Sequence, residues 1–294
     1  MKTDTLTIQL ALAIAEEGSI SRAADKLQLA VAAASKRLTE LERQLGTPLF
    51  KRVPHGVKLT ESGTKLLAHI RQIDSLIARL GDDAHSMREG QDGRIIIGAP
   101  KAAIIEFLAR DLARVQRRYP QITLQIIEEN SKIIQQLLRD KVIDIGIYEK
   151  KSGFIDMEKH DYRADELVAV YSRAHFSFED MPLEADPLLD SPLVSLGEGS
   201  AVLASLQRLS QSRGRALGRH FTVSGFDTML ALVRHGLGVG LMPPAVLGSL
   251  HPEPGIGSIA LAGGWHQRTY VLSSVQGRAQ EQTLRNVVAQ LLEA

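Results

Sequence analysis

A cluster of basic side chains is the feature of this 294-residue sequence that most clearly suggests chemistry. The whole chain carries a formal net charge of +1, whereas the segment from Ile20 to Thr60 holds eight bases and three acids. A basic patch on a chain of balanced charge is typical of a surface that neutralises nucleic-acid phosphates. The bases are Arg22, Lys26, Lys36, Arg37, Arg43, Lys51, Arg52 and Lys58.

Patterns that would support catalysis or metal binding do not stand out, so we predict neither an enzyme nor a bound cofactor or metal. The chain has no cysteine, and its nine histidines include no HExxH-type ligand pair. The glycine-rich run 236–240 follows a predicted helix and precedes a predicted strand, which is the reverse of the order in a dinucleotide site.

The elements that carry the basic cluster predict a winged helix-turn-helix, which places one helix in the major groove of DNA. Helical spacing of apolar residues, glycine stops and polar caps set the predicted boundaries. The elements are a helix over Thr5–Glu17, a second helix capped by Ser19 or Ser21, a third from Ala30 that stops at Gly46, and a wing from Lys51 to Thr60.

We predict that the exposed face of the third helix and the wing contact DNA. Basic side chains would neutralise phosphates, and small side chains on the exposed face would reach base edges. The first set is Arg22, Lys36 and Lys58, and the second is Val31, Ala32 and Ser35, with Thr39 on the same face. The alternative is an alanine-rich helical hairpin with a solvated basic face.

A long helix with a heptad of apolar residues follows the wing. It opens at Thr60-Glu61 and runs to about Met87, so its length is roughly 40 Å. Spacings of four and three residues predict a coiled coil that pairs two copies, and an intramolecular packing face is the alternative. Residues 89–93 then break the helix and supply a hinge. The seam is Leu66, Ile70, Ile73, Ile77, Leu80, Ala84 and Met87.

From Arg94 onward, strands alternate with helices, which predicts mostly parallel sheets covered by helices. One set of strands spans 95–98, 122–127 and 143–147, with helices over 106–118 and 131–140. A second set spans 167–171, 193–195, 221–223 and 239–242, and a strand over 269–273 and a helix over 280–292 return to the first set.

Four strand-to-helix turns in this region are candidate ligand sites, because helix N-termini present free N–H groups beyond the carboxyl ends of strands. Lys101 in the first turn either binds a carboxylate or phosphate directly or pairs with Glu149 across the mouth of a cleft. The candidate residues are Lys101, Ala102, Ser131, Glu149, Ser200 and Phe226.

The sequence resembles the LysR-type transcriptional regulators. In the amino-terminal third the resemblance rests on Gly18-Ser19, Ala23-Ala24, Leu27, Ser35, Leu41-Glu42, Leu45-Gly46, Leu49-Phe50, Arg52 and the run 59–63. In the remainder it rests on Tyr119-Pro120 and the runs 144–147 and 236–243.

The resemblance implies an α+β multidomain protein that controls transcription. Its expected parts are a winged helix-turn-helix domain over 1–60, a linker and dimerisation helix over 61–89, and a two-lobed, periplasmic-binding-protein-like α/β effector domain over 90–294. Lobe I would span about 94–163 and 265–294, and lobe II about 164–264. The four turns would converge on one cleft that binds a small-molecule effector.

The resemblance also implies partners and DNA-reading positions. A homodimer or homotetramer would bind an interrupted palindrome of double-stranded DNA and contact RNA polymerase. The base-reading positions would be Val31, Ala32, Ser35 and Lys36, with Arg52 and His55 in the wing.

The sequence departs from the family pattern at Ala30-Val31-Ala32, where a polar residue and then glutamine usually stand. Alanine is a poor N-cap, and valine cannot form a bidentate hydrogen bond with adenine, although it can contact a thymine methyl group. We therefore expect DNA binding with an unusual or less sharply read site.

The composition predicts a cytoplasmic protein with no membrane span, because no apolar run approaches the ~20 residues that cross a bilayer. The N-terminus is a poor signal peptide, since Asp4, Gln9 and Glu16 interrupt it. The alternative function is an architectural DNA-binding oligomer without a ligand.

Overall fold

The computed structural model describes residues 3–89, 93–152, 155–178, 182–218, 220–275 and 281–293. The chain divides into two compact units, the first formed by Met1–Gly93 with Asp140–Val142 and the second by Arg94–Arg139 with Ile143–Ala294. The predicted hinge at 89–93 falls largely on residues 90–92, which lie outside the described ranges. No helix within those ranges is both long and apolar enough to cross a membrane.

The first unit consists of four helices and a two-stranded hairpin. Its core is lined by alanines such as Ala23, Ala24 and Ala34, which have no exposed surface and let the helices cross closely. Leu49 and Phe50 also belong to this core. The elements are α1 (Thr5–Glu17), α2 (Ile20–Lys26), α3 (Val31–Leu45), β1 (Phe50–Val53), β2 (Gly56–Leu59) and α4 (Glu61–Glu89).

Local signals fix the ends of these helices. The Asp4 carboxylate accepts a hydrogen bond from the Thr7 amide and caps α1, and Ser19 caps α2 in the same way. Gly18 and Gly46 end α1 and α3 with φ of 60° and 68°, a left-handed conformation that glycine adopts without strain. The helix-turn-helix geometry therefore follows from residues that the sequence analysis singled out.

The second unit contains two five-stranded sheets covered by helices. The first sheet has the order β4-β3-β5-β12-β6 and the second has the order β11-β7-β10-β8-β9. Strands β3 to β7 are Arg94–Ala99, Thr123–Glu128, Ile145–Glu149, His160–Glu166 and Val168–Ser172. Strands β8 to β12 are Leu193–Leu196, His220–Val223, Val239–Met242, Ile256–Ala260 and Gln267–Ser274.

Helices cover both faces of these sheets. Alternate residues of β7 belong to two different apolar clusters. Ala169 and Tyr171 belong to one cluster and Val170 belongs to the other, so the second sheet is buried on both faces. The helices are α5 (Lys101–Ala103), a π-helical turn (Ile104–Leu108), α6 (Ala109–Arg118), α7 (Ser131–Arg139), α8 (Ala185–Asp190), α9 (Ala201–Ser212), α10 (Phe226–Arg234), α11 (Pro244–Ser249) and α12 (Glu281–Leu292).

Three features of the second unit differ from the sequence prediction. Strands β6 and β11 were not predicted, and β6 extends the first sheet to Glu166, beyond the expected lobe boundary at about 163. The first helix begins at Lys101 rather than at Glu106, with a π-helical turn inserted after one α-turn. This earlier start places Lys101 at a helix N-terminus directly after β3.

Candidate DNA interface and ligand cleft

The first turn of α3 presents its predicted face to solvent. Val31 is 45% exposed, a large fraction for an apolar side chain, and Ala32 and Lys36 are also exposed. Ser35 is half-buried, and its carbonyl accepts a hydrogen bond from the Thr39 hydroxyl. Ala33 is exposed as well. The exposed face of the first turn of α3 therefore carries mainly small or apolar side chains and one cationic side chain, Lys36.

The N-terminus of α3 lacks a side-chain cap. Ala30 has the extended conformation of a cap residue, with φ −64° and ψ 135°, but its methyl group accepts no hydrogen bond. A serine at this position would supply the missing acceptor for an amide of the first turn.

We expect Ala30→Ser to stabilise the first unit by about 1 kcal/mol, the usual value of an N-cap. Urea unfolding followed by far-UV circular dichroism of the full chain measures the change. Ala33→Ser is the matched control, since the same substitution inside the helix adds no cap and should cost a few tenths of a kcal/mol. Equal shifts for the two variants would contradict the explanation.

The wing carries basic side chains that form no ion pair with any acidic side chain among the described residues. Arg52, His55 and Lys58 are exposed, as predicted. Lys51 lies directly opposite Lys58 in the hairpin and is exposed on the same face. Like charges that face each other across two strands repel, so an anion between them is favoured. Lys51 was counted in the basic cluster but not chosen as a contact, because only the strand register reveals the pair.

At the start of α2, Ser19 and Arg22 have roles within the chain. The Ser19 hydroxyl caps α2 through the Arg22 amide at 3.4 Å, and the Arg22 guanidinium lies 3.7 Å from the Glu17 carboxylate. Arg22 nevertheless keeps a side chain that is 66% exposed, and Ser21 is exposed beside it. This end of α2 therefore remains accessible.

The predicted heptad seam on α4 divides into two parts. Ile70 is 5% exposed and Leu66 is half-buried, because both pack against the core of the first unit. Beyond them the described apolar side chains of the seam are exposed, and the side chains of Ala84 and Met87 lie outside the described residues. The exposed apolar side chains are Ile73 (37%), Leu76 (62%), Ile77 (41%) and Leu80 (72%).

In the second unit, the four predicted turns meet at one cleft with a cavity of about 390 Å³. Ser131 is buried there and accepts a hydrogen bond from the Glu149 amide, and Ser200 caps α9 through the Leu203 amide at 3.1 Å. Ala102 and Phe226 are buried in a single apolar cluster beside it. Lys101 lines the cleft and forms no ion pair with any described residue.

The predicted pair between Lys101 and Glu149 does not form. Glu149 lies behind the cleft surface with no exposed area, and its Oε2 accepts a hydrogen bond from the Ser152 hydroxyl at 2.6 Å. Of the two alternatives for Lys101, the structure therefore leaves direct contact with a ligand, because Glu149 is fully buried and its carboxylate is held by Ser152. Lys101 is thereby left available to a ligand.

Two residues at the bottom of the cleft were missed by the sequence analysis. Arg268 and Tyr270 line the cavity from β12, and both are almost completely buried. The Arg268 Nε donates to Asp165 Oδ1 at 2.8 Å, and its Nη2 donates to the other carboxylate oxygen. No local pattern connects these residues, because Asp165 and Arg268 are brought together only by the pairing of β6 with β12.

Further carboxyl groups surround this pair, and we call the set Glu106, Glu149, Asp165, Arg268 and Tyr270 the floor cluster. Burial raises the pKa of Glu106 to about 7, and the neighbouring Asp165 carboxylate adds to the shift while Arg268 opposes it. Glu149 is the direct cross-strand partner of Tyr270. The floor cluster thus contains three carboxyl groups and one guanidinium.

A winged helix-turn-helix with an exposed recognition helix, together with a two-sheet α/β unit that encloses a cleft, defines a ligand-responsive DNA-binding protein. Comparison with known proteins agrees. A bacterial regulatory helix-turn-helix model of the lysR family matches residues 7–64, and the LysR substrate binding domain matches residues 88–294. The chain belongs to the LysR family of transcriptional regulators, which combine a DNA-binding domain with an effector-binding domain.

Individual relatives span most of the chain. The HTH-type transcriptional regulator XapR of Escherichia coli K12 is 30% identical over 250 residues, which cover 82% of each chain. The regulator YofA of Bacillus subtilis is 28% identical over 241 residues, 81% of each chain. The crystal structure of full-length CbnR with its target DNA has a TM-score of 0.68 at 19% identity and covers 98% of this chain and 99% of that one. This last likeness is one of fold.

Proposed function

We propose that this regulator reads double-stranded DNA with Val31, Ala32, Ser35 and Lys36 in the major groove and with the wing on the adjacent backbone. The observation that carries the proposal is the exposed set of Lys36, Arg52 and Lys58, which form no ion pair among the described residues and lie in the same unit as an exposed apolar helix start. Phosphate contacts from Lys36, Arg52 and Lys58 would set the register, with Arg22, Ser19, Ser21, Thr39 and His55 at the edges. Val31 favours contact with a thymine methyl group.

Salt dependence and a lysine substitution test this interface. We expect affinity for selected genomic fragments to fall by at least about 10³ between 50 and 200 mM salt, as for a protein with six or more phosphate contacts. Lys36→Ala should weaken binding to every fragment alike and reduce the salt slope by about 1, and a loss confined to some sequences would show that it reads a base.

The control for Lys36→Ala is Lys150→Ala, an exposed lysine of the second unit that pairs with Asp161. It should leave affinity and salt slope unchanged. Binding that is undetectable, or that does not respond to salt, would overturn the proposed interface.

We further propose that the exposed part of α4, from Ile73 to Leu80, pairs two copies of the chain. An apolar stripe of four large side chains is costly to leave in water and matches half of a coiled-coil seam. Leu66 and Ile70 would support this pairing from inside the first unit. A homodimer or homotetramer on an interrupted palindrome follows from such pairing.

The cleft would bind a small-molecule effector that shifts the population of assembly states and thereby transcription by RNA polymerase. Residues Lys101, Ala102, Ser131, Ser200 and Phe226 would line the bound molecule, and Glu149 would act from behind it. We place the regulator in the cytoplasm, where DNA is accessible, and assign it no catalytic step. An architectural role without a ligand would leave the cavity unexplained.

A further inference from the structure

A row of arginines covers the outer side of α6 in the second unit. Arg110, Arg114, Arg117 and Arg118 follow one another at separations of four, three and one residues, so they lie on one side of the helix. From Arg110 to Arg118 the helix rises by roughly 12 Å. Arg110, Arg117 and Arg118 are exposed, and the side chain of Arg114 is 29% exposed. We call these four residues the arginine face.

A buried carboxylate holds part of the arginine face in place. Asp111 has no exposed surface, and its Oδ1 accepts a hydrogen bond from Arg114 at 2.8 Å. Its Oδ2 accepts from the Tyr162 hydroxyl at 2.6 Å and from Arg163 at 3.1 Å. The Glu293 carbonyl oxygen accepts from both Arg114 and Arg163, at 2.9 and 3.2 Å. Arg114 is therefore already ordered, which lowers the entropy cost of binding a partner through it.

This one carboxylate cannot balance the charge of the arginine face. Asp111 is the only acidic residue in the sequence of α6, and it serves three guanidinium groups, because Arg110 lies 3.9 Å away as well as Arg114 and Arg163. Arg117 and Arg118 form no ion pair with an acidic side chain in the part of the chain that the structure describes. Like charges three and four residues apart repel each other along a helix. Acidic groups from a second molecule would relieve this repulsion.

The shape and composition of the arginine face favour a protein partner. Guanidinium groups spread along two turns of a helix cannot converge on one small anion, but they match a row of carboxylates on a second helix or strand. Ala109 and Ala113 are exposed on the same helix, so the backbone of a partner can approach closely. The four cations are all arginines, a residue that is enriched at protein–protein interfaces, where lysine is depleted.

The charge of the second unit does not favour DNA as the partner. Residues 94–294 hold 22 lysines and arginines and 22 aspartates and glutamates, so this part of the chain has no excess charge that attracts a polyanion. The local excess of bases lies instead in the first unit, between Ile20 and Thr60. The arginine face is thus a confined basic surface on a neutral unit, as expected for contact with a confined acidic surface.

We propose that the arginine face is a docking surface for an acidic segment of a protein partner, a helix or strand that presents a row of aspartate or glutamate side chains. The inference rests on the proposed function, because a regulator that the first unit holds on DNA changes transcription through contact with a further protein. Arg117 and Arg118 form charge pairs that exist only in the complex. Arg114, which Asp111 holds, sets the position of the acidic segment.

Polyglutamate is the probe for this surface. The full-length protein is saturated with a DNA fragment, so that the cations of the first unit are occupied, and is then titrated with labelled polyglutamate of about 20 residues at low salt. Fluorescence anisotropy measures the affinity. We expect Arg117→Glu combined with Arg118→Glu to weaken polyglutamate binding at least about tenfold, because like charges then face each other, and to leave DNA affinity unchanged.

The control carries the same change of charge elsewhere on the second unit. Lys132 and Arg173 are exposed and lie outside α6, and Lys132→Glu combined with Arg173→Glu should weaken polyglutamate binding less than about twofold. If the α6 variant has a lower melting temperature than the wild type, Arg110→Glu provides the same test from the other end of the arginine face.

Three results would overturn the inference. The first is that polyglutamate does not bind to the wild type, and the second is that the α6 variants bind it as tightly as the wild type does. The third is a loss of DNA affinity in the α6 variants, which would assign the arginine face to the DNA interface. The proposed DNA interface fails differently, through the Lys36 experiment, and polyglutamate can then be titrated into the free protein. The two failures are therefore distinguishable.

Discussion

Replacing Gly63 by alanine is expected to unfold the first unit and abolish DNA binding while the second unit stays folded. A Cβ at this position would lie 2.0 Å from the Leu49 carbonyl oxygen and 2.8 Å from the Leu49 carbonyl carbon. Leu49 cannot yield easily, because it is fully buried and its amide donates to the Glu42 carboxylate at 2.7 Å. We expect a loss of about 3 kcal/mol, at the upper end of overpacking costs.

The single tryptophan separates the two units in this experiment. Trp265 lies in the second unit, so its fluorescence reports that unit alone, whereas far-UV circular dichroism reports the helices of both. Gly81→Ala is the control, since the same change in the same helix meets nothing within 4 Å and should stabilise by about 0.5–1 kcal/mol. Wild-type DNA affinity in the Gly63→Ala variant would refute the packing argument.

Arg268→Met is expected to destabilise the second unit by about 3–5 kcal/mol, the cost of leaving one member of a buried ion pair without its partner. The side chains of Arg268 and Asp165 are 2% and 0% exposed, so the Asp165 carboxylate would lose its guanidinium partner in a buried position. Urea unfolding followed by Trp265 fluorescence measures the effect. Arg215→Met, at an exposed pair with Asp190, is the control and should cost less than about 1 kcal/mol.

A double substitution distinguishes the buried charge from the lost volume. Arg268→Met with Asp165→Leu removes both charges and keeps apolar bulk, so it should recover most of the stability that Arg268→Met loses. A double variant no more stable than the single one would show that packing, rather than the unpaired carboxylate, sets the cost.

The first unit was largely predictable because its signals are local. Gly18, Gly46 and Ser19 act within a few residues of where they stand, and the structure places them as expected. The burial of Glu149, which decides between the two alternatives for Lys101, could not be predicted from spacing because it depends on tertiary packing.

The second unit was harder to predict because its pairings are distant in sequence. Strand β6 reads HDYRADE, a charged segment without a strand-like apolar pattern. It forms because β12 supplies its hydrogen-bond partners and Arg268 neutralises Asp165 from 103 residues away. The floor cluster could not be found from spacing for the same reason.

The facing lysines of the wing have a consequence for how the protein responds to its ionic surroundings. At low ionic strength, the repulsion between Lys51 and Lys58 destabilises the pairing of the two strands, and added ions screen this repulsion. The same ions compete with DNA phosphates for the two side chains. A rise in ionic strength therefore stabilises the hairpin and at the same time weakens its binding to DNA. In the free protein, the hairpin is best ordered at the ionic strength at which DNA binding is weakest.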